Sequence, residues 1–454
     1  MSLSCFLLID FAILLDAPLS DDLFRSPRFA ASAAPAAICC FLDFAGIYLI
    51  YAATASRGPL SLAVFTESHD FRCCRKGPVP YWPLMGGTWK FPVVLFAFLV
   101  FAGMAFAGSD WQLVKVRGRD YLTVDNIAKF YDLPTGVAPV DKHLRIENSR
   151  NSVEFQLDSR EVMINGVRNW LCFPVTERNG QYLVSRVDLA KTLEPELRPQ
   201  MIANLGHFTT VVLDPGHGGY DRGAISPYGY EKNFALDVAR TVKPLLEAKG
   251  LKVKMTRDSD IFVPLELRAR MANATKNSIF VSIHFNAADT NPAASGFEIY
   301  SLTPRGAPST SDDALALRFM NMEAGSPVDA PSLALSMSVF HSMIGHFSEF
   351  DRGIKRARFA VLRRTQVPAI LIEGGFLTQR GDSRLIAKSN WREKLAESIA
   401  TGIMNYKELV DNHKRPMMVA DYRREFEGQL VLKDATAPAK PEASPTSVVI
   451  PASN

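Results

Sequence analysis

Four side chains in the second half of this 454-residue chain have the types and spacing of a hydrolytic metal site. His217 sits in "VVLDPGHGGYDRGAISPYGYEKN", Glu231 lies near the end of that stretch at the mouth of a helix-like run, His284 falls late in the apolar run "SIFVSIHFNA", and Glu373 directly follows "VPAILI". Each also has an ordinary reading. A histidine among glycines suits a turn, a histidine in a strand suits a satisfied core, and an acid at a helix start is favoured by the helix dipole without any metal. Glu373 is harder to treat so, because burying a lone carboxylate at a strand end is costly without compensation. Together, two neutral imidazoles and one carboxylate form the His₂Glu set that holds a hydrolytic Zn²⁺ with one position open. The glycines around His217 let its loop approach an ion, and Glu231 can reach across the same crevice. Glu373 then remains as a non-ligand carboxylate able to take and return a proton.

Other hydrolytic designs find less support. The chain has no Gly-x-Ser-x-Gly elbow, and a Cys/His amidase would have to rely on Cys172 in "WLCFPV", with nothing near it in sequence to activate a thiolate. Cys5, Cys39, Cys40, Cys73 and Cys74 all precede it, so the rest of the chain forms neither an internal disulfide nor a cysteine-rich zinc site.

The elements that must carry these residues start near Thr209. A β-branched run "TTVVLD" is followed by "EKNFALDVARTVKPLLEAKG", whose apolar residues recur at helical spacing and stop at Gly250. "LKVKMTR", the helix-like "PLELRARMANATK", "SIFVSIHFNA", "GFEIYSL", a helical stretch through Leu333 to Ile344, and "VPAILIEGGF" continue the alternation. This predicts an α/β domain over 207–412 with a mostly parallel, twisted sheet and helices on both faces. Ligands in such sheets gather beyond the carboxyl ends of strands, where His217, His284 and Glu373 all fall. The basic stretch "RGIKRARFAVLRR" reads as a strand or turn with one wet face, with anion contact to a substrate as the alternative.

Upstream, residues 111–199 predict a small α+β module. "YLTVDNIAKFYDL" looks like a strand then a helix, and Asn165-Gly166 and Asn179-Gly180 mark hairpins. Its "ING…FP…NG…YLVSRVDL" pattern resembles the copper-amine-oxidase N-terminal-like domains, which implies a binding or stalk role. Residues 85–107 have the layout of a secretory signal peptide: one lysine, an uncharged apolar run from Phe91, and Ala105 and Ala107 before Gly108. A transmembrane anchor is the alternative. Residues 1–84 would then lie upstream of a true start at Met85, although the apolar "ICCFLDFAGIYLIYAATA" admits an additional membrane segment. Residues 433–454 are a Pro/Ala/Ser-rich tail expected to be disordered. The formal net charge of +4 gives no reason to expect nucleic acid as a partner.

At this level of detail the chain resembles the zinc-dependent N-acetylmuramoyl-L-alanine amidases of the amidase-3 type. "VVLDPGHGGYDRGA", "YEKN", "MTRDSD", "LRARMAN", "VSIHFNA", "DRGIKRARFAVLR" and "VPAILIEGGFLT" match that family's motifs in order from Thr209 to about Tyr406. The resemblance implies that His217, Glu231 and His284 bind zinc and that Glu373 is the catalytic acid/base. It implies peptidoglycan as substrate, cut between N-acetylmuramic acid and L-alanine, in cell-wall remodelling or daughter-cell separation. It also implies export to the periplasm or cell envelope, with membrane contact only through the signal peptide, and it admits a protein activator. The competing readings are a zinc carboxypeptidase-like enzyme on stem peptides and a non-catalytic wall-binding protein. The segment "TPRGAPSTSDDALALRFMNMEAGSPVDAP" is longer than a minimal member needs, and reads as a surface insertion or a lid.

Overall fold

The computed structural model describes residues 38–44, 47–53, 62–66, 111–312, 325–347 and 351–425. The expected signal peptide and the Pro/Ala/Ser tail lie outside these residues, as do most of 1–84 and the middle of the long insertion. Within 1–84, Ile38–Phe44, Ile47–Ala53 and Leu62–Thr66 form a three-stranded antiparallel sheet. The run weighed above as a membrane segment therefore supplies two strands. Among the described residues no helix is long and apolar enough to cross a membrane.

The second unit, residues 102–454, is built separately. Its module begins with Leu113–Val116 and Arg119–Thr123, which pair with the hairpin Thr176–Arg178 and Gln181–Ser185. The Thr123 hydroxyl caps the short helix Val124–Phe130 by accepting from Asn126 N. Four further strands follow as an antiparallel meander: β1 (His143–Glu147), β2 (Ser152–Gln156), β3 (Glu161–Ile164) and β4 (Val167–Trp170). Both Asn-Gly pairs form the expected tight turns, with Asn165 and Gly166 at φ +52° and +79° and Asn179 and Gly180 at +53° and +76°. Leu122, Ile127, Ile146, Phe155, Ile164, Leu193 and Leu197 give the module its own core.

The α/β part runs as β5 (Thr210–Pro215), α1 (Glu231–Glu247), β6 (Lys252–Met255), α2 (Leu265–Asn273), β7 (Ser278–Asn286), β8 (Phe297–Leu302), α3 (Asp329–His346), β9 (Asp351–Ala357), α4 (Ala360–Arg364), β10 (Ala369–Phe376), α5 (Arg380–Ile386) and α6 (Ser389–Asn412). The sheet order is β6-β5-β7-β10-β8-β9-β4-β3-β2-β1. β5, β6, β7 and β10 are parallel, whereas β8 pairs antiparallel with β10 and parallel with β9, so the sheet is mixed. Alternate residues explain why both faces are covered. Val211, Leu213, Ile279, Val281, Ile370 and Ile372 pack under α1, α3 and α6, while Val212, Phe280 and Leu371 meet Ala272 of α2 and Val361 and Leu362 of α4. Helix α3 is buried almost all round, as its near-absence of charge predicts.

The sheet does not stop where the module begins. β9 bridges to β4 at Ile354 and Asn169, Arg168 N donates to Asp351 Oδ2 at 2.8 Å, and Trp170 Nε1 donates to Arg352 O at 3.2 Å. Arg356, 3% exposed, donates to Asp329 Oδ1 on α3 and to Lys191 O in the module. The start of the long insertion also faces the module, since Arg160 Nη1 donates to Ser309 O at 3.1 Å. The basic stretch expected to have one wet face is thus largely buried over 351–357. Over that part Arg352 and Lys355 meet Glu298 and Arg356 meets Asp329, carboxylates that lie far away in sequence.

Candidate metal-dependent active site

His217, Glu231 and His284 meet at the carboxyl ends of β5 and β7, with one ligand atom from each lying within 4.8 Å of the others. His217 follows β5 in a left-handed conformation, φ +58°, an uncommon state for a residue with a side chain. What holds it there is a pair of arginines buried beneath the loop. Arg268 of α2, 2% exposed, donates to Asp214 Oδ1 (2.8 Å), Pro215 O (2.7 Å) and His217 O (2.6 Å). Arg257 donates to Pro215 O (3.0 Å) and Gly216 O (2.6 Å). The Thr256 hydroxyl donates to the same Asp214 oxygen, Oδ1, at 2.6 Å, and the Ser282 hydroxyl donates to Oδ2 at 2.8 Å. The "MTRDSD" and "LRARMAN" motifs, quoted above without a role, supply these two arginines.

Glu231 is the first residue of α1, delivered by the hairpin Ile225–Ser226 and Gly229–Tyr230. Its carboxylate is held on both oxygens. Oε2 accepts from Ala224 N at 2.8 Å and lies 3.1 Å from His217 Nε2. Oε1 accepts from Phe285 N at 3.2 Å and lies 2.8 Å from His284 Nδ1. Burial pushes the Glu231 carboxyl upward, but the two histidines hold it well below the usual range. His217 Nδ1 lies 2.9 Å from Asp221 Oδ1, a neighbouring carboxylate that sequence reasoning missed although it stands only four residues away. Burial lowers the His217 pKa, and Glu231 and Asp221 together raise it by more. Carboxylates that orient a ligating imidazole are a usual part of metal sites.

Two glycines make room for this convergence. A Cβ on Gly216 would come within 2.2 Å of His284 Cε1, and one on Gly223 within 2.4 Å of Glu231 Oε2 and 2.6 Å of His217 Cδ2. The donor set and the cradle fit a divalent metal, with two imidazoles and one carboxylate as protein ligands.

Glu373 stands beside this set. On parallel strands its register partner is His284, and on the other side its antiparallel partner is Glu298, so all three project from one face of the sheet. Its Oε2 is buried and has no hydrogen-bond partner among the described residues. Burial, then the charges of Glu231 and Glu298, push the Glu373 carboxyl well above the ordinary range, with Lys355 pulling the other way. Glu298 is its opposite. Although buried, it accepts from Lys355 Nζ (2.6 Å) and Arg352 Nε (2.5 Å) on Oε1 and from Tyr300 OH (2.6 Å) and Asn286 Nδ2 (3.0 Å) on Oε2. Burial would raise it, yet Lys355, Tyr300 and Arg352 keep it below the usual carboxylate range. The two neighbouring carboxyls thus have environments that push their pKa values in opposite directions. Sequence reasoning missed Glu298 and Tyr300 because "GFEIYSL" reads simply as a strand, and it left Lys355 in a basic stretch expected to have one wet face; only the reversed pairing of β8 with β10 puts Glu298 opposite Glu373.

Cys172 is 1% exposed, and burial together with Asp188 pushes its thiol well up, which leaves it inert as a nucleophile.

The family profile described as N-acetylmuramoyl-L-alanine amidase matches residues 211–405, the stretch that holds all four site residues. The chain is 36% identical over 240 residues to N-acetylmuramoyl-L-alanine amidase AmiC of Neisseria meningitidis, covering 48% of this chain and 57% of that protein. It is 30% identical over 253 residues to N-acetylmuramoyl-L-alanine amidase AmiA of Escherichia coli, covering 51% of this chain and 87% of the relative. The solved amidase AmiC2 of Nostoc punctiforme is 33% identical and aligns over 44% of this chain and 98% of its own, with a TM-score of 0.37. Metal dependence is general among such proteins, and the His217, Glu231 and His284 set is where it would reside. By motif, matched span and near-complete coverage of its Escherichia coli relative, this chain belongs to the N-acetylmuramoyl-L-alanine amidase family of peptidoglycan hydrolases.

Proposed function

We propose that the protein is an exported, zinc-dependent enzyme that cleaves the amide between the lactyl group of N-acetylmuramic acid and L-alanine of the peptidoglycan stem. The observation that carries this reading is the placement of Glu373, whose Oε2 is buried without a hydrogen-bond partner among the described residues, in register with His284 of the His₂Glu set. His217, Glu231 and His284 would hold the metal, and the set of two imidazoles and one carboxylate favours zinc. When bound, the metal supplies Lewis-acid polarisation of the amide carbonyl and activation of water near neutral pH. The chain's own residues do the remaining work. Glu373 accepts a proton from the attacking water, the carbon–nitrogen bond breaks, and Glu373 delivers the proton to the departing alanine nitrogen, leaving a lactyl carboxylate and a free amine. Arg257 and Arg268 keep the His217 loop in place, and Asp221 orients the His217 ring.

Export through residues 85–107 accords with this chemistry, since peptidoglycan lies outside the cytoplasmic membrane. The periplasm or cell envelope is the matching location. Digestion of purified peptidoglycan tests the activity. The expected products are intact stem peptides with free L-alanine amino ends. Release of single carboxy-terminal residues would identify a carboxypeptidase instead, and the absence of any new end a non-catalytic wall binder.

A further inference from the structure

Strand β9 is the most basic in the sheet, and all but one of its cations are accounted for by the fold. Arg356 is spent on Asp329, and Lys355 is largely covered, its side chain 11% exposed. Arg352 differs, with a side chain 27% exposed and only Nε committed, to Glu298 Oε1 at 2.5 Å. Its Nη groups make no hydrogen bond with any described residue. Its position relative to the reacting carboxyl is bracketed from both sides. Glu298 is the strand partner of Glu373, and the Arg352 guanidinium carbon lies 4.9 Å from the ring centroid of Phe376, three residues beyond Glu373 on β10. The guanidinium therefore sits between Glu298, the strand partner of Glu373, and the Phe376 ring near the end of β10.

The bonding of Glu298 gives this group a task. Lys355 and Arg352 share the same oxygen of Glu298, Oε1, and Lys355 also acts on Glu373, so Arg352 is the cation that this cluster binds through one nitrogen alone. A guanidinium held by Nε still offers its Nη edge as two parallel donors, the geometry that grips a carboxylate. In the substrate class proposed above, the lactyl carboxyl is already tied up in the scissile amide, and the sugar offers only neutral hydroxyl and acetamido groups. Free carboxylates near the cut belong to the peptide. We propose that Arg352 binds a carboxylate of the departing stem peptide, that of the acidic residue following alanine, and so makes the enzyme prefer acidic stems over amidated ones. The assignment rests on the amidase reading and adds a specificity determinant to it.

The probes are N-acetylmuramoyl-L-alanyl-D-glutamate and its α-amidated counterpart, N-acetylmuramoyl-L-alanyl-D-isoglutamine, with kcat/KM measured for each. The wild-type chain is expected to favour the acid by about tenfold or more, as a charge-assisted hydrogen bond would give. Arg352→Gln is expected to bring that ratio close to one, whatever happens to the absolute rates, while Arg352→Lys keeps part of it. A wild-type ratio near one, or a preference that persists in Arg352→Gln, overturns the assignment. Cleavage of neither compound by the zinc-loaded wild-type chain overturns the amidase reading itself and this inference with it, an outcome distinct from cleavage of both at equal rates.

Discussion

At the scale of single residues the proposed site separates into metal ligands and a proton carrier, and the two classes should fail differently when changed. His217→Ala, Glu231→Ala and His284→Ala each remove one donor of a converging set, so each is expected to lower zinc content after gel filtration as well as hydrolysis. Chelation of the wild-type protein should abolish turnover, and full activity in metal-free protein would defeat the assignment. Glu373→Gln keeps the shape of the carboxyl but not its basicity. It should retain zinc while kcat falls by about 10²–10⁴-fold, the usual contribution of a general acid/base group. Metal content and kcat measured on the same preparations distinguish these cases, since loss of metal in Glu373→Gln would make it a fourth ligand.

At the scale of elements, the joint between the module and the α/β sheet carries a titratable group of its own. Glu196, in the helical turn Glu194–Leu197, is 1% exposed and receives one bond from Asn169 Nδ2 on β4, at 3.3 Å. Burial pushes its carboxyl from 4.5 up to about 8, with Arg356 and Asn169 opposing. Between those two values the folded chain holds a proton that the unfolded chain has released. Stability from this group is therefore complete below the unfolded value and is lost as pH rises through the window, at about 1.4 kcal/mol per pKa unit. Glu196→Gln should flatten the decline, read as denaturation midpoints at the two ends of the window. An unaltered pH dependence in the variant would show that Glu196 is not the group responsible.

At the scale of the whole molecule, the proposed activity requires the catalytic unit to reach the wall. The exported form is expected to begin at or near Gly108, after cleavage behind Ala107, and amino-terminal sequencing of the secreted protein reads this directly. A membrane-bound product still carrying Cys73 and Cys74 would instead make the apolar segment an anchor. Much of the fold was legible before any tertiary contact was known, because strand and helix periods, Asn-Gly turns and apolar strand ends are local properties. His217, Glu231, His284 and Glu373 could be picked out for the same reason: glycine around a histidine and a charge after an apolar run are local anomalies. Other features depended on which strands become neighbours. The reversal of β8 placed Glu298 against Glu373, the Ile354–Asn169 bridge merged two expected domains into one sheet, and distant partners buried a basic stretch that reads as half wet. Sequence alone determined the kinds of element and picked out the candidate reacting groups, since these follow from side-chain type and spacing along the chain. Tertiary structure decided that Glu298 is paired on both oxygens while Glu373 Oε2 is left without a partner among the described residues, because pairing depends on distances between strands that are far apart in sequence.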